Sequence, residues 1–361
     1  MRSPFRALAV GLFAVLPAAL AQQIGDPAQQ ISDPAQQIGD PAQQARDTVQ
    51  PSGKQAQPAS DQMHRQTMAI YGQVSPYLDL PTKKLQHQID DLDGLKIDED
   101  QAGLDSLLQH ISETVSAQMP RIPNLVARED IALEEEHMQI QGGGRGRGAM
   151  VSAATPEMVL RAERRYEFVI RRRPSGDLQI FEESRKEIGT SKDPILPPQG
   201  TGFSGLWMLF VPGVLEEQRF RYLGTQRIHG RQTAVIAFTQ VPGRVKIPGV
   251  IRGMAGDVPM LQQGLVWVDE ETSRILRIRT DLLTPLPQIN TTRLTSTVEY
   301  SEVHLPGLDE KLWLPRRVEL LWTMNARNGG EIHRYSNYRL YKANVRIITD
   351  TMGTAPVDDP P

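Results

Sequence analysis

Apolar and polar residues alternate in short segments beyond residue 160, and turn residues separate these segments. Val318, Leu320 and Trp322 recur at every second position, the period of a strand with one dry and one wet face. The short links, such as the turn predicted at Asn325–Gly330, favour antiparallel pairing, because a parallel pair needs a long crossover. The predicted strands are Arg164–Arg172, Asp177–Lys186, Arg219–Ile228, Arg231–Val241, Gly264–Val268, Ile275–Leu282, Leu294–Leu305, Trp313–Thr323, Ile332–Tyr341 and Val345–Ile348, after a strand or strand pair in Asn124–Gln141.

One helical stripe precedes the strands and is followed closely by two prolines. Its apolar residues recur at the spacing of an amphipathic helix: Leu104, Leu107, Leu108, Ile111 and Val115. We expect this helix to end near Met119 and to cover one face of the sheet. The predicted fold is mainly β (α+β), a curved antiparallel sheet or incomplete barrel of about 9–10 strands with a covering N-terminal helix.

The first 21 residues have the pattern of a signal peptide. Arg2 and Arg6 precede an uncharged apolar run, and small residues at Ala19 and Ala21 suit a cleavage site after Ala21. We therefore expect an exported protein, periplasmic or extracellular, with no transmembrane span in the mature chain. The chain contains no cysteine, so its fold must rest on hydrophobic burial.

A seven-residue repeat follows the expected cleavage site. Its isoleucines are in register, but a proline recurs at the same period and excludes a coiled coil. We expect this Gln/Pro-rich leader to be disordered. The predicted organisation is a signal peptide at 1–21, the leader at 22–62, a helical and acidic preamble at 63–123, an antiparallel β domain at 124–348 and a disordered tail at 349–361.

The charge distribution leaves the predicted fold unchanged and bears only on the class of partner. Residues 22–150 hold 10 Lys and Arg against 19 Asp and Glu, whereas residues 151–361 hold 28 against 24. A slightly basic β domain behind an acidic preamble lacks the concentrated basic face of a nucleic-acid-binding protein. We therefore expect no nucleic-acid partner.

Residue patterns for catalysis or metal binding are absent from the sequence. The seven histidines have no zinc-ligand spacing, and Ser204 lacks the second glycine of a nucleophile elbow at the required position. Asp269–Glu271 lies at the apex of a predicted hairpin, where we expect the carboxylates to stay hydrated. Asp90–Asp93 does not complete a calcium loop and is expected to form a solvated acidic turn. We expect no catalytic residue, no cofactor and no metal site.

Two long apolar segments are the candidate ligand-binding elements. Thr201–Leu215 carries no charge and is interpreted as a buried helix or turn, or as the wall of an apolar pocket. Val241–Leu261 is interpreted as a long loop without secondary structure of its own. It mixes glycine and proline with aliphatic residues, which indicates a flap on an apolar surface or simple packing against the sheet. The candidate ligand-binding residues are Phe203, Leu206, Trp207, Phe210, Ile247, Val250, Ile251, Met254 and Met260.

Residues Gly264–Asp269, Thr272 and Arg274–Ile278 resemble a hairpin of exported proteins related to the periplasmic lipoprotein carrier and the lipoprotein-sorting proteins. The succession of strands that ends at Tyr335–Arg339 is also similar to them, over about residues 160–348. The resemblance implies a curved, incomplete antiparallel barrel with helices over its concave apolar face. It also implies non-catalytic binding of acyl chains. The repeat leader, the acidic preamble and the Val241–Leu261 segment depart from that family.

Two functions remain open from the sequence. The first is a non-catalytic carrier or sensor that binds an acyl chain or other apolar ligand within the curved sheet. The second is an envelope scaffold whose sheet and flap contact another protein, without a small ligand. A hydrolase is less favoured, because its residue patterns are missing. The two leading hypotheses differ in whether the sheet encloses an apolar ligand or is filled by its own side chains.

Overall fold

The computed structural model describes residues 14–15, 69–71, 74–138, 156–175, 178–189, 200–246, 248–253 and 256–341. Most of the expected signal segment, the leader, the tail and the predicted strand Val345–Ile348 lie outside the described residues. The strands are β1 Ala14–Val15, β2 Lys96–Ile97, β3 Leu125–Met138, β4 Pro156–Ser175, β5 Leu178–Glu187, β6 Gln218–Ile228, β7 Arg231–Gln240, β8 Gly249–Gly253, β9 Gly256–Met260, β10 Gln262–Asp269, β11 Ile275–Leu282, β12 Thr291–Val303, β13 Leu312–Met324 and β14 Arg327–Leu340. The helices are α1 Thr82–Gln88, α2 Leu104–Gln118 and α3 Pro212–Leu215, with 3₁₀ turns at Tyr77–Asp79, Asp90–Leu92, Met119–Arg121, Phe203–Phe210 and Pro287–Ile289.

Eleven strands form one sheet in the order β2-β6-β7-β10-β11-β12-β13-β14-β3-β4-β5. Every neighbouring pair in it is antiparallel. The edge strands β2 and β5 are not paired with each other among the described residues, so the sheet stays open. These findings confirm the mainly β, antiparallel and unclosed fold. The strand count exceeds the predicted 9–10, partly because β2 has only two residues and therefore no readable period.

Alternation along the strands gives the sheet two faces, which we call inner and outer. On β13, Val318 and Leu320 are buried on the inner face, while Arg317 and Glu319 form an ion pair of 2.7 Å on the outer face. Directly paired residues on neighbouring strands lie on the same face, so the strand register assigns a face to residues throughout the sheet. Inner-face residues include Phe168, Ile236, Val266, Ile278, Val298, His333 and Tyr335; outer-face residues include Val235, Leu265, Trp267, Leu321 and Ile332.

Two hydrogen bonds show that the sheet curves around its inner face. Glu183 on β5 accepts a bond of 2.7 Å from the Gly202 amide, and Tyr300 on β12 donates one of 3.3 Å to the Phe203 carbonyl. These two strands are five positions apart in the sheet, or about 24 Å if it were flat. Side chains from both strands reach two adjacent residues, so the strands must bend toward each other.

The inner face is covered by elements that are not part of the sheet. Helix α2 places Ile111 and Val115 in the inner core, which confirms the predicted covering helix. The 3₁₀ helix Phe203–Phe210, called the cover helix below, packs between α2 and strands β5, β11 and β13. The β8–β9 hairpin, called the cover hairpin, adds Ile251 and Met260 to the same core. The short strand β1 pairs in parallel with β8.

The part of the acidic preamble before α2, residues 77–97, packs on the outer face rather than forming a core of its own. Leu85 and Leu92 are fully buried in a second apolar cluster with Leu265 and Trp267, which we call the outer cluster. Asp91 pairs with Arg279 on β11 at 2.8 Å, so the acidic turn predicted to be solvated is instead bound to the sheet. This part of the preamble packs on β6, β7 and β10, and among the described residues it does not extend over the outer face of β12, β13, β14, β3 and β4.

We find no helix, among the residues that the structure describes, with the length and apolar character needed to cross a membrane.

Candidate functional site

The cover helix holds four of the residues predicted to bind a ligand. It begins after Gly202, whose φ of 89° places the backbone in the left-handed region that favours glycine. Phe203, Leu206, Trp207 and Phe210 are all buried in the inner core. The segment therefore occupies the apolar space above the sheet, and a ligand on the inner face would have to displace it.

The cover hairpin brings two further predicted residues to the same place. Ile251 and Met260 belong to the inner core, and Val250 is half-buried. The side chains of Ile247 and Met254 lie outside the described residues. The structure thus unites Phe203, Leu206, Trp207, Phe210, Ile251 and Met260 in one apolar cluster. Their role in ligand binding stays a prediction.

Polar contacts join the N-terminal end of the cover helix to edge strand β5. The Glu183 carboxylate accepts hydrogen bonds from the Gly202 amide and from the amide and hydroxyl of Ser204. Arg185 donates a bond of 2.6 Å to the Gly200 carbonyl. We call these contacts the latch. The C-terminal end of the helix is held locally, where the Gln218 side chain donates to the Leu209 carbonyl at 2.6 Å.

The latch continues into a buried ionic network on the inner face. Arg185 contacts both oxygens of Glu129, and His333 lies between Glu129 and Glu331 at 2.8 and 3.0 Å. Because both ring nitrogens face carboxylates, both must carry protons to donate. Burial alone lowers the pKa of His333, but its hydrogen bonds to Glu129 and Glu331 outweigh burial and raise it above the usual range.

Glu129 is the anionic centre of this network. Burial alone would raise the pKa of its carboxyl group, but the His333 hydrogen bond and the Arg185 charge outweigh burial and lower the pKa to about 2. The ring of Phe203 also packs edge-on against His333, with centroids 5.3 Å apart. The charged network and the cover helix are therefore in direct contact.

A separate pocket of about 660 Å³ lies at the β12–β4 part of the sheet. By register, its floor is formed by four outer-face residues on three strands: Leu321 on β13 faces Gly330 on β14, and Ile332 on β14 faces Ala132 on β3. Polar residues surround this floor: Glu134, Glu136, Arg161, Glu163, Arg293, Glu319, Thr323 and Asn328. We call this site the outer pocket. An apolar floor with a polar rim and this volume is typical of small-molecule sites.

Sequence reasoning missed the outer pocket because it placed Asn325–Gly330 in a turn. The structure corrects this interpretation: Asn325 and Ala326 alone form the turn, both with positive φ, and β14 begins at Arg327. A two-residue turn of this kind matches the twist of the flanking strands. Gly329 and Gly330 consequently lie within the sheet, and a glycine pair inside a strand was the available signal.

Residues considered for catalysis have structural contacts instead. The Ser204 hydroxyl donates to Glu183 in the latch. Asp269, expected to be hydrated at a hairpin apex, is buried, pairs with Arg231 at 2.7 Å and accepts bonds from the amide and hydroxyl of Thr272. Within the part of the chain that the structure describes, no group of three or more His, Asp or Glu side chains could hold a metal ion.

Comparison with known proteins adds two structural matches. A DUF1329 family protein from Desulfovibrio piger has a TM-score of 0.32 and 11% identity, covering 69% of this chain and 95% of its own. A domain from Vibrio parahaemolyticus named for outer membrane lipoprotein sorting has a TM-score of 0.29 and 13% identity, covering 66% and 95%. The second match carries a name of the kind that the sequence resemblance implies, but at these TM-scores neither match supports an argument about this chain.

No protein-family model and no curated protein sequence matches the chain. At 11% and 13% identity, the two structural matches carry no information about a ligand or an activity of this chain.

Proposed function

We propose that this protein is an exported, non-catalytic binding protein for an acyl chain or another apolar ligand, held between the inner face and its cover. One observation carries the proposal: the apolar face of an open, curved sheet is covered by segments that are not strands of that sheet. The signal-peptide pattern at residues 1–21 supports export to the periplasm or the extracellular space.

The distribution of polar contacts supports opening of the cover helix from its N-terminal end. The latch joins Gly200–Ser204 to side chains of strand β5, and Tyr300 on β12 also donates to the Phe203 carbonyl. The other end is bonded to Gln218, only nine residues from Leu209 along the chain. Breaking the latch would therefore release one end, while the C-terminal end acts as a hinge. An apolar ligand that replaces the cover side chains would compensate for their exposure.

Thiol accessibility tests this proposal directly, because the chain has no cysteine of its own. Leu206→Cys places a single thiol under the cover helix, and Leu265→Cys places one in the outer cluster; both leucines are fully buried. We expect fatty acids or alkyl alcohols to bind saturably and to increase the modification rate of Leu206→Cys alone. Mass spectrometry of the labelled protein gives both rates.

Two results would contradict the proposal. Failure of all apolar probes to bind, with an unchanged Leu206→Cys rate, would favour the alternative, an envelope scaffold that contacts another protein without a small ligand. Equal acceleration of Leu206→Cys and Leu265→Cys would indicate general unfolding rather than opening of the cover.

A further inference from the structure

Gly330 lies at the centre of the outer pocket, and the backbone does not require a glycine there. It is not among the residues with positive φ, and an added Cβ would meet the flexible Leu321 side chain at 3.1 Å and the Leu320 carbonyl oxygen at an ordinary contact distance of 3.6 Å. The neighbouring Gly329 is different, because a Cβ there would lie 2.0 Å from the Trp322 ring. Glycine weakens a strand interior, and it often marks close approach of a ligand.

The missing side chain at Gly330 leaves the apolar floor accessible. Leu321 lies opposite Gly330 on β13, Ile332 follows two residues later on β14, and both are half-buried; Ala132 lies opposite Ile332 on β3. Any larger residue at position 330 would project into the space between them, because it shares their face of the sheet. The glycine is therefore explained by the pocket rather than by the fold.

Charges around the floor are unevenly compensated. Arg161 pairs with Glu134 at 3.0 Å, and Glu319 pairs with Arg317 at 2.7 Å. Glu136 and Glu163 have no ion-pair partner among the described residues. Arg293, across the floor on β12, directs its guanidinium toward Thr295 at 3.5 Å. The rim next to β3 and β4 is therefore anionic.

We propose that the outer pocket binds an organic cation with an apolar body, such as an alkyl or aryl ammonium compound. The apolar body lies over Gly330 beside Leu321 and Ile332, and the ammonium group faces Glu163, which is opposite Ala132 on the neighbouring strand β4. An anionic ligand of the same shape would place its charge against this carboxylate, or it would have to bind in the reverse orientation with its charge toward Arg293. This site is on the face opposite the cover, so it is independent of the acyl-chain site proposed above.

Three probes that share one apolar body and differ only in their polar group separate recognition of shape from recognition of charge. Phenylbutylamine, phenylbutanol and phenylbutyrate are titrated into the full-length protein, and methyl NMR signals of Ile332 and Leu321 report the location of binding. We expect the amine to shift these signals and to bind about tenfold more tightly than the alcohol or the acid, because it gains a charge-assisted hydrogen bond. The amine is protonated at neutral pH.

Two variants test the assigned contacts. Gly330→Val fills the floor and should abolish the shifts without lowering the thermal midpoint, because valine suits a strand better than glycine. Glu163→Gln should weaken amine binding by several-fold while alcohol binding stays the same. Glu216→Gln is the matched control, since Glu216 is likewise exposed and lies outside the pocket. It should leave both affinities unchanged.

Each alternative outcome overturns a specific part of the proposal. Equal affinities for the three probes would exclude recognition of the positive charge. Binding that leaves Ile332 and Leu321 unshifted, or that survives Gly330→Val in a folded protein, would place the ligand elsewhere. Because Glu163 is exposed, Glu163→Gln remains informative even if the valine variant does not fold.

Discussion

Four charged side chains occupy the inner face where an apolar core would otherwise continue. Glu129 and His333 are fully buried, Glu331 nearly so, and Arg185 bridges Glu129 to the cover helix. Buried ion pairs contribute little net stability compared with apolar residues of similar volume, yet loss of one partner is costly. The network is therefore better understood as fixing the position of the cover than as increasing stability.

The protonation of His333 gives this network a pH dependence. Its pKa is raised in the folded state, so its stabilisation is fully present below the unfolded value of 6.5 and is lost as pH rises through the folded value. Glu129 behaves oppositely: its contribution is present above 4.5 and is lost as pH falls toward about 2. We expect the free energy of unfolding to decrease as pH rises above 6.5.

Urea denaturation at several pH values measures this decrease. His333→Gln removes the titrating ring while it keeps a polar side chain, so its free energy of unfolding should change less over the same alkaline range. A variant with the same alkaline slope as the original protein would show that other groups cause the decrease.

The two adjacent glycines of β14 should respond differently to alanine. In Gly329→Ala the new Cβ overlaps the Trp322 ring, and we expect a loss of about 1–3 kcal/mol in the free energy of unfolding. In Gly330→Ala only the Leu321 side chain must move, so stability should be unchanged or higher by about 0.5 kcal/mol. Thermal or chemical denaturation distinguishes them, and an equal loss in both would remove the argument that Gly330 serves the pocket.

Among the elements, helix α2 shows what a periodic pattern can and cannot predict. The spacing of its apolar residues gave its position and its packing on the sheet, and the helix ends at Gln118 just before the prolines. The spacing did not predict how deeply each side chain of the helix is buried. Ile111 and Val115 are buried, whereas Leu104, Leu107 and Leu108 are only half-buried, because depth depends on the cover helix packed beside them.

The contribution of α2 to stability should follow this depth. Ile111→Ala removes a fully buried side chain and should lower the free energy of unfolding by about 2–5 kcal/mol. Leu108→Ala removes a half-buried one and should cost roughly half as much. Denaturant titration compares the two, and a larger effect of Leu108→Ala would show that the helix is rotated relative to this structure.

The latch predicts how the cover helix can be released. Glu183→Gln replaces a carboxylate that accepts three hydrogen bonds with a neutral amide, a loss of about 1.5–3 kcal/mol. In a Leu206→Cys background, the modification rate should therefore increase about tenfold or more. The same substitution in a Leu265→Cys background should have no such effect. An unchanged Leu206→Cys rate would mean that the latch does not control opening.

Turns and irregular segments were the elements least accessible to sequence reasoning. The glycine pair Gly329–Gly330 suggested a turn, but the register of β13 and β14 places the turn at Asn325–Ala326. In the same way, Val241–Leu261 was expected to lack structure of its own, yet it contains the cover hairpin. Pairing between strands decides both cases, and pairing is not visible in the composition of either segment.

At the scale of the whole molecule, alternation predicted the fold class but not what covers each face. It identified an antiparallel sheet with dry and wet residues and a covering helix, all of which the structure contains. It did not show that β14 pairs with the distant strand β3, which assembles the outer pocket from sequence-remote residues. Nor did alternation show that the part of the preamble before α2 covers the outer face, since the helices in that part are short and carry little periodicity.

Residues 77–97 of the preamble should therefore be required for folding, even though they lie before the covering helix. A chain starting at residue 101 would expose Val235, Leu265 and Trp267, which are fully buried beneath it. Each such side chain accounts for about 1.5–3 kcal/mol of burial, against a typical total stability of about 5–15 kcal/mol. We expect this truncated chain to lose its cooperative thermal transition or to aggregate.

A chain starting at residue 69 is the matched truncation. It keeps the whole described preamble and Tyr71, whose hydroxyl accepts a bond of 2.9 Å from the Leu261 amide beside the cover hairpin. Its thermal midpoint and its acyl-chain affinity should therefore equal those of the full chain, as measured by circular dichroism and ligand titration. If the chain starting at residue 101 melted at the same temperature, the outer cluster would not be needed for folding, and residues before 101 would not contribute to stability. If the chain starting at residue 69 lost binding while it stayed folded, residues 1–68 would contribute to the ligand site.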